Sequence, residues 1–501
     1  MKEMAVYKHG IYVSEQKTDL QALVQQDSGV IFAVGTAPVR NTISGEAAAA
    51  NEPVLCMNGA EAQNYLGYHN NRELYTLVEA MDVLFDQYRV APVVFVNVFD
   101  PEVHKKHTSR EEHLAALTDS SARITLEGDV LPGSIKIETM SEVDGDEVWT
   151  DITSATTVVS ADDFDTGMIE TYETTIALPS GFSMGAKVYA SYDVPDASKV
   201  TEADVIGTIN STTGRATGLE LIGEVYARFG RTAGILIAPG WSQKPAVAAK
   251  MATIAASING HFSAMAIADL DTAAIGGYAN AAAWKNQNGY VSPNLIACYP
   301  AVKYGNLIQH LSTHLAGEMA LLAAQNDDIP YMSPSNRLTN TITGTCNLDG
   351  TANYFGDDAA NELNGQGIVT VTNFNGWRFW GNNTSAYPAN TDPKDRWIPV
   401  RRMFDFVKTA LVLNFRSQLD EPIVKRAIDS VVNSANTYLN GLTSRGAILG
   451  GRVEFLEDDN PSTAIADGKL MFRVYITPPS PARELDFVLQ YDTEYLTTVF
   501  E

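Results

Sequence analysis

Three observations predict an α/β multidomain chain. Short, nearly unbroken apolar runs alternate with amphipathic helical stretches. A Thr- and Val-rich block interrupts them, and both ends of the chain alternate with the two-residue period of a strand. Buried strands separated by helices imply an α/β layered central domain. The interruption implies an inserted all-β, sandwich-like domain, and the final helices and strands imply an α+β C-terminal domain. The expected units are residues 1–20 (strand arm and linker), 21–118 and 216–395 (the two parts of the α/β domain), 119–215 (the insert), 396–482 (the C-terminal domain) and 483–501 (a second strand arm).

The central domain rests on "VIFAVG", "PVVFVNV", "GILIAPG", "SAMAIAD" and "NLIACYP", runs typical of strands buried on both faces. Between them "NRELYTLVEAMDVLFDQYR", "GLELIGEVYARFG" and "PAVAAKMATIAASINGHF" carry helical periodicity. In the insert, "ARITLEGDV", "GSIKIETM", "EVWTDIT", "ATTVVSADDF", "TYETTIALP" and "AKVYASYDV" follow one another with turn signals between them, as short sandwich strands do.

In the C-terminal unit, "VRRMFDFVKTALVLNFRSQ" and "DEPIVKRAIDSVVNSANTYLNG" read as helices. The second is expected to have Asp420 near its cap, Pro422 in its first turn and Gly441 as its stop. Two strands follow, with Val453 and Phe455 in one and Phe472, Val474 and Ile476 in the other. Tyr7, Ile11 and Val13 share one face of the N-terminal arm. Leu485, Phe487, Leu489 and Tyr491 share one face of the C-terminal arm, beyond the break "PPSPAR". Neither arm has a hairpin partner beside it in sequence, so each is expected to seek the edge of another sheet.

At 501 residues the chain exceeds one simple core, and its 45% apolar and 19% charged content is that of a folded protein. No apolar run reaches membrane-spanning length, and the first residues lack the apolar core of a secretory signal. Three scattered cysteines suit neither a disulfide framework nor a zinc knuckle. A net charge of −25 argues against nucleic-acid binding, which needs a basic surface. The charge is uneven: residues 119–204 hold 18 acidic and 4 basic side chains, and residues 396–452 hold 9 basic and 4 acidic. The acidic insert is therefore expected at an outer surface and the basic stretch at a different one.

Candidate chemistry fails in its context. Ser183 in Gly181-Phe182-Ser183-Met184-Gly185 matches the G-x-S-x-G elbow, but strand-like sequence flanks it where the elbow needs a following helix. A hairpin loop using its glycines is expected instead. His310, His314 and Glu318 have a metal-binding spacing, yet Leu311 stands where the zincin pattern has its Glu, so a buried helix is the expectation. His104, His107, Glu111 and His113 read as a solvated connection. No phosphate-binding or dinucleotide fingerprint is present. The expectation is no catalytic residue, no metal and no cofactor.

Ala316-Gly317, Ser333-Pro334-Ser335-Asn336, the turn Gly376-Trp377-Arg378-Phe379-Trp380-Gly381 and the terminal stretch from Pro478-Pro479 to Phe487 together resemble the tail sheath proteins of contractile-tailed bacteriophages. The resemblance covers both arms, the α/β region and the C-terminal unit, and only weakly the insert. It implies a mechanical protein of the virion, made in the host cytoplasm, that polymerises with itself in rings, with six-fold symmetry expected, around a tail tube. Its further implied partners are tail tube, baseplate and tail terminator proteins, with no nucleic acid and no membrane insertion. It also implies that both arms add strands to neighbours' C-terminal sheets, completing that domain by strand exchange, with Val453, Phe455, Phe472, Val474 and Ile476 as acceptor. The basic stretch, with Arg401, Arg402, Lys408, Lys425 and Arg426, is the expected tube-facing surface. Alternatives are the sheath of a phage-derived bacteriocin or injection system, a glycan-binding virion surface protein, and a serine hydrolase using Ser183.

Overall fold

The computed structural model describes residues 27–42, 47–118, 121–161, 173–493 and 495. The N-terminal arm, with Tyr7, Ile11 and Val13, lies outside the described residues.

The central sheet starts with β1 (Ile31–Gly35), β2 (Pro53–Cys56) and β3 (Val93–Asn97). β1 and β3 run parallel, and β2 lies antiparallel on the far side of β3. The expected long helix between β2 and β3 is a short α-helix, Thr76–Met81, that continues as a π-helix over Asp82–Gln87.

Eight strands then leave this sheet: β4 (Lys105–Leu114), β5 (Ala116–Thr118), β6 (Ser121–Glu127), β7 (Lys136–Val143), β8 (Asp146–Asp151), β9 (Thr157–Ala161), β10 (Glu173–Ala177) and β11 (Lys187–Pro195). They form two four-stranded sheets, β5-β6-β10-β9 and β4-β11-β7-β8. Ile124, Leu126, Ile137, Ile176, Val188 and Ala190 make their shared core. The sandwich thus begins at Lys105, ahead of the expected start at 119. β4 escaped notice because it is an edge strand with charges on both faces, and edge strands carry charge where inner strands alternate. Its stem is narrow: the Asp196 N–H donates to the His104 carbonyl at 2.8 Å.

β12 (Ile235–Ile237), β13 (Met265–Asp269) and β14 (Leu295–Cys298) return to the central sheet. β15 (Ala301–Tyr304), β16 (Leu307–Gln309) and β17 (Gly344–Cys346) make a small antiparallel sheet, and β18 (Ile368–Asn373) and β19 (Trp377–Trp380) close the large one. Its order is β19-β18-β14-β13-β12-β1-β3-β2, parallel except at the two edges. Every residue of β1, β3 and β13 is buried, as strands covered on both faces must be. The helix Leu311–Ala324 lies on β12, β13 and β14. Gly317 lets it close on Tyr88: a Cβ there would stand 2.6 Å from that ring.

The C-terminal unit is built from the helices Ile398–Phe415 and Lys425–Ser444 with β20 (Gly450–Glu454) and β21 (Arg473–Thr477). Met403, Phe406, Val407, Ala435, Leu439, Leu442, Ile448 and Val453 form its core. Two expectations for the second helix are corrected. Asp420 takes a left-handed turn (φ 65°) and Val424 is extended, so the helix starts at Lys425, beyond Pro422. Gly441 lies inside the helix, and Gly446 (φ 74°) ends it, with its N–H on the Thr443 carbonyl.

Candidate assembly interface

β20 and β21 pair antiparallel, with Arg452 opposite Tyr475, Val453 opposite Val474 and Gly451 opposite Ile476. Val453 is buried, while Phe472, Val474 and Ile476 are half-buried against the same core. Phe455 and Phe472 touch ring to ring just beyond the strands, 5.2 Å between centroids. Two strands alone are a marginal sheet. Among the described residues the ribbon has no third strand.

The chain leaves β21 through Pro478, which is buried, and through Pro479 and Pro481, which are half-buried. From Ala482 to Tyr491 every residue is exposed and no strand is formed. Leu485 is 74% exposed, Phe487 86%, Leu489 96% and Tyr491 75%. Burial of each such apolar side chain would contribute ~1.5–3 kcal/mol, so this segment withholds a large driving force from its own chain.

The connector lines a cleft of about 940 Å³ in which three of the motifs singled out in the sequence meet. Ser333, Ser335 and Asn336 form one side, Trp380 and Gly381 the next, and Pro479 to Leu485 the third. The Gly381 N–H donates to Ser335 Oγ (3.0 Å), and Trp380 Nε1 donates to Asn361 Oδ1 (2.9 Å). Tyr387 and Trp397 add aromatic walls, with the Arg396 guanidinium over both rings at 4.3 and 4.1 Å. Prolines fix φ and hold the residues before them extended, so Thr477–Pro481 leaves as a stiff spacer.

The basic stretch is largely turned inward, which corrects the expectation for three of its residues. Arg401 bonds Asp405 Oδ1 (2.7 Å) and Asp395 Oδ1 (3.2 Å). Arg402 is buried and donates to the Ser28 carbonyl (3.2 Å), and burial pulls its pKa down to about 10 against the opposing pull of Asp405. Lys408 donates to Ser263 Oγ (2.8 Å). Arg402 and Lys408 thus tie the helix Ile398–Phe415 to the central domain, where periodicity alone could not place them. Lys425 and Arg426 are exposed at the first turn of their helix.

Ser183 is exposed in a loop between β10 and β11. That loop joins the two sheets of the sandwich, so it is a crossing and not the expected hairpin. Gly181 and Gly185 have positive φ there. His310 precedes its helix and bonds Glu79, while His314 bonds Gln309 (3.0 Å) and Thr341 (3.1 Å); only His314 and Glu318 of the three share a helix face. His104, His107 and His113 lie in or beside β4, each with a separate carboxylate: Asp204, Asp193 and Glu111. Among the described residues no His, Cys, Asp and Glu group could hold a metal ion, and no helix is long and apolar enough to cross a membrane.

The model of the phage tail sheath C-terminal domain matches residues 390–491, which hold the ribbon, the connector and the exposed segment. A tail sheath protein of Burkholderia phage BcepMu is 28% identical over 99% of both chains. Over its whole length the chain is similar to contractile tail sheath proteins. A putative prophage major tail sheath protein of Pseudomonas aeruginosa is 28% identical over 59% of this sheath subunit and 74% of its own length. Its fold is shared with a chain of the contracted anti-feeding prophage baseplate (TM-score 0.58, 13% identity, 96% and 98% of the chains). It is also shared with the contracted sheath complex of an extracellular contractile injection system (0.56, 14%, 98% and 99%). The subunit is accordingly a structural component of a contractile sheath, and the family is one of structural proteins.

Proposed function

We propose that the sheath subunit polymerises around a tail tube as stacked rings, six-fold in symmetry, between a baseplate and a tail terminator. In this reading contraction of the sheath drives the tube through the host envelope in an infectious phage, and the curated relatives favour the phage over a bacteriocin or injection device. The domain limits carry over from the sequence, with the insert redrawn at Lys105–Pro195. Subunits are linked by strand exchange: Leu485, Phe487, Leu489 and Tyr491 of one copy join the Val453–Val474 ribbon of another. Tyr7, Ile11 and Val13 are proposed to do the same from the other end of the chain. The observation that carries this is a pair of opposites in one molecule: an apolar, alternating, unpaired segment and a sheet of only two strands. A heterologous contact that does not close yields a polymer.

Lys425 and Arg426 are the proposed tube-facing cations, since they alone of the five expected residues keep exposed charge. Negative-stain microscopy of the purified full chain tests the reading. Striated tubes are expected, and a chain that stays monomeric at every concentration and salt tried contradicts it.

A further inference from the structure

Arg402 is a buried cation with most of its donors unused. The residue is 5% exposed, and of the N–H groups on its guanidinium only one on Nη2 donates, to the Ser28 carbonyl (3.2 Å). Asp405 stands on the same helix, but both of its oxygens are engaged. Arg401 donates to Oδ1 (2.7 Å) and Asn294 to Oδ2 (2.9 Å). Among the described residues Arg402 makes no ion pair. A pKa of about 10 keeps it charged at neutral pH, and a charge taken out of water without a counter-charge is costly.

The guanidinium lines a cavity of about 20 Å³ at the amino ends of three central strands. Ser28, Gly234 and Ala264, just ahead of β1, β12 and β13, form its floor. A water needs about 10–15 Å³, so there is room for one or two occupants of that size and no more. Three charged side chains line the cavity: Asp27, Arg402 and Asp405. Asp27 is paired with Arg231 and Asp405 with Arg401, which leaves Arg402 alone without a partner. Behind the wall Lys408 Nζ donates to Ser263 Oγ (2.8 Å) and adds a second positive charge. Thr232 is buried and lines the same space, and its hydroxyl bonds nothing among the described residues.

We propose that this cavity is a binding site for a small inorganic anion of chloride's size, held by the Arg402 guanidinium and the Thr232 hydroxyl. A water there would satisfy donors but leave the buried charge uncompensated, whereas a monatomic anion does both. Phosphate and sulfate are too large for the space. The bound anion fastens the helix Ile398–Phe415 to the starts of β1, β12 and β13, because Arg402 bridges it to the Ser28 carbonyl.

Thermal unfolding of the full chain, purified throughout in gluconate, tests the site at fixed ionic strength. Replacing gluconate stepwise by chloride or by bromide should raise the melting temperature, since an ion that binds only the folded chain stabilises it by mass action. Thr232→Val keeps the side-chain shape and removes the donor. It should fold, and should need roughly tenfold more chloride for the same rise. Arg402→Met should lose the chloride response altogether. Equal melting temperatures in gluconate, chloride and bromide would mean that water fills the cavity, and would overturn the proposal. A chloride response of the same size in Thr232→Val and the parent chain would place the anion elsewhere and overturn it too. Should Arg402→Met fail to fold, bromide-soaked crystals of the parent chain decide: an anomalous peak beside Arg402 is expected, and a cavity without one contradicts the assignment.

Discussion

Glu79 and His310 lie far apart in sequence and are joined twice. The His310 backbone N–H donates to Glu79 Oε1 at 2.8 Å, and His310 Nδ1 meets Glu79 Oε2 at 2.8 Å. The pair pins the start of the helix Leu311–Ala324 to the helix Thr76–Met81 beneath the sheet. Burial alone would push the Glu79 pKa up, but the charge and hydrogen bonds of His310 outweigh it and hold it below the usual 4.5. Burial would push His310 down, and Glu79 outweighs that and raises it from 6.5 to about 9.

The pH dependence follows from those signs. The raised His310 contributes stability that is complete below pH 6.5 and is lost as pH rises through about 9. The lowered Glu79 contributes stability that is complete above pH 4.5 and is lost as pH falls through its folded value. Between about pH 4.5 and 6.5 the pair therefore stabilises most. Glu79→Gln should destabilise by ~3–5 kcal/mol, since it leaves a buried imidazolium unpaired, and should flatten the alkaline side of the curve. Denaturant titrations of both chains at pH 6 and pH 9.5 check this; equal losses at both pH values would count against the pair.

Arg401 belongs to the architecture and not to a binding face. Arg401→Ala takes the paired cation from buried Asp405, and one of two from Asp395, which keeps Lys394, and should cost ~3–5 kcal/mol. A thermal unfolding scan that shows no change would refute the structural role.

Lys425 and Arg426 pose the opposite case. Two exposed cations sit at a helix N-terminus, where the helix dipole disfavours positive charge, so their presence is not explained by stability. Reversing both to Glu should leave the melting temperature unchanged or slightly raised while weakening cosedimentation with tail tubes at low salt. Undiminished cosedimentation at low salt would remove these residues from the tube-facing surface.

The insert should be dispensable for assembly. His104 and Asp196 already meet at its stem, and the sandwich has its own core. Replacing Lys105–Pro195 by a short Gly-Ser linker should give a soluble chain that forms tubes of smaller diameter in the microscope. A soluble deletion chain unable to assemble would show that the insert joins subunits.

The five unbroken apolar runs declared the parallel sheet, because double burial removes the polar alternation of each strand. β18 and β19 were harder, although Asn375 (φ 51°) and Gly376 (φ 110°) form the turn an Asn-Gly pair favours in a hairpin. Their polar threonines, Thr370 and Thr372, are buried by neighbours that no local pattern reveals. At the interface, period and exposure of Leu485 to Tyr491 were legible, since an unpaired strand obeys only local rules. The inward turn of Arg401 and Arg402 was not. Arg402 turns in to the carbonyl of Ser28, distant in sequence, and Arg401 to Asp405, whose burial one helical turn on is set by the packing and not by the spacing.

Strand exchange is tested most directly by sedimentation of a chain ending at Ala482, which keeps the ribbon and two sides of the cleft but has lost every exposed apolar residue of the arm. The account predicts that it folds with an unchanged melting temperature, since those residues bury nothing in their own subunit, and that it stays monomeric under conditions where the full chain pellets as tubes. A truncated chain that pellets as tubes would contradict it.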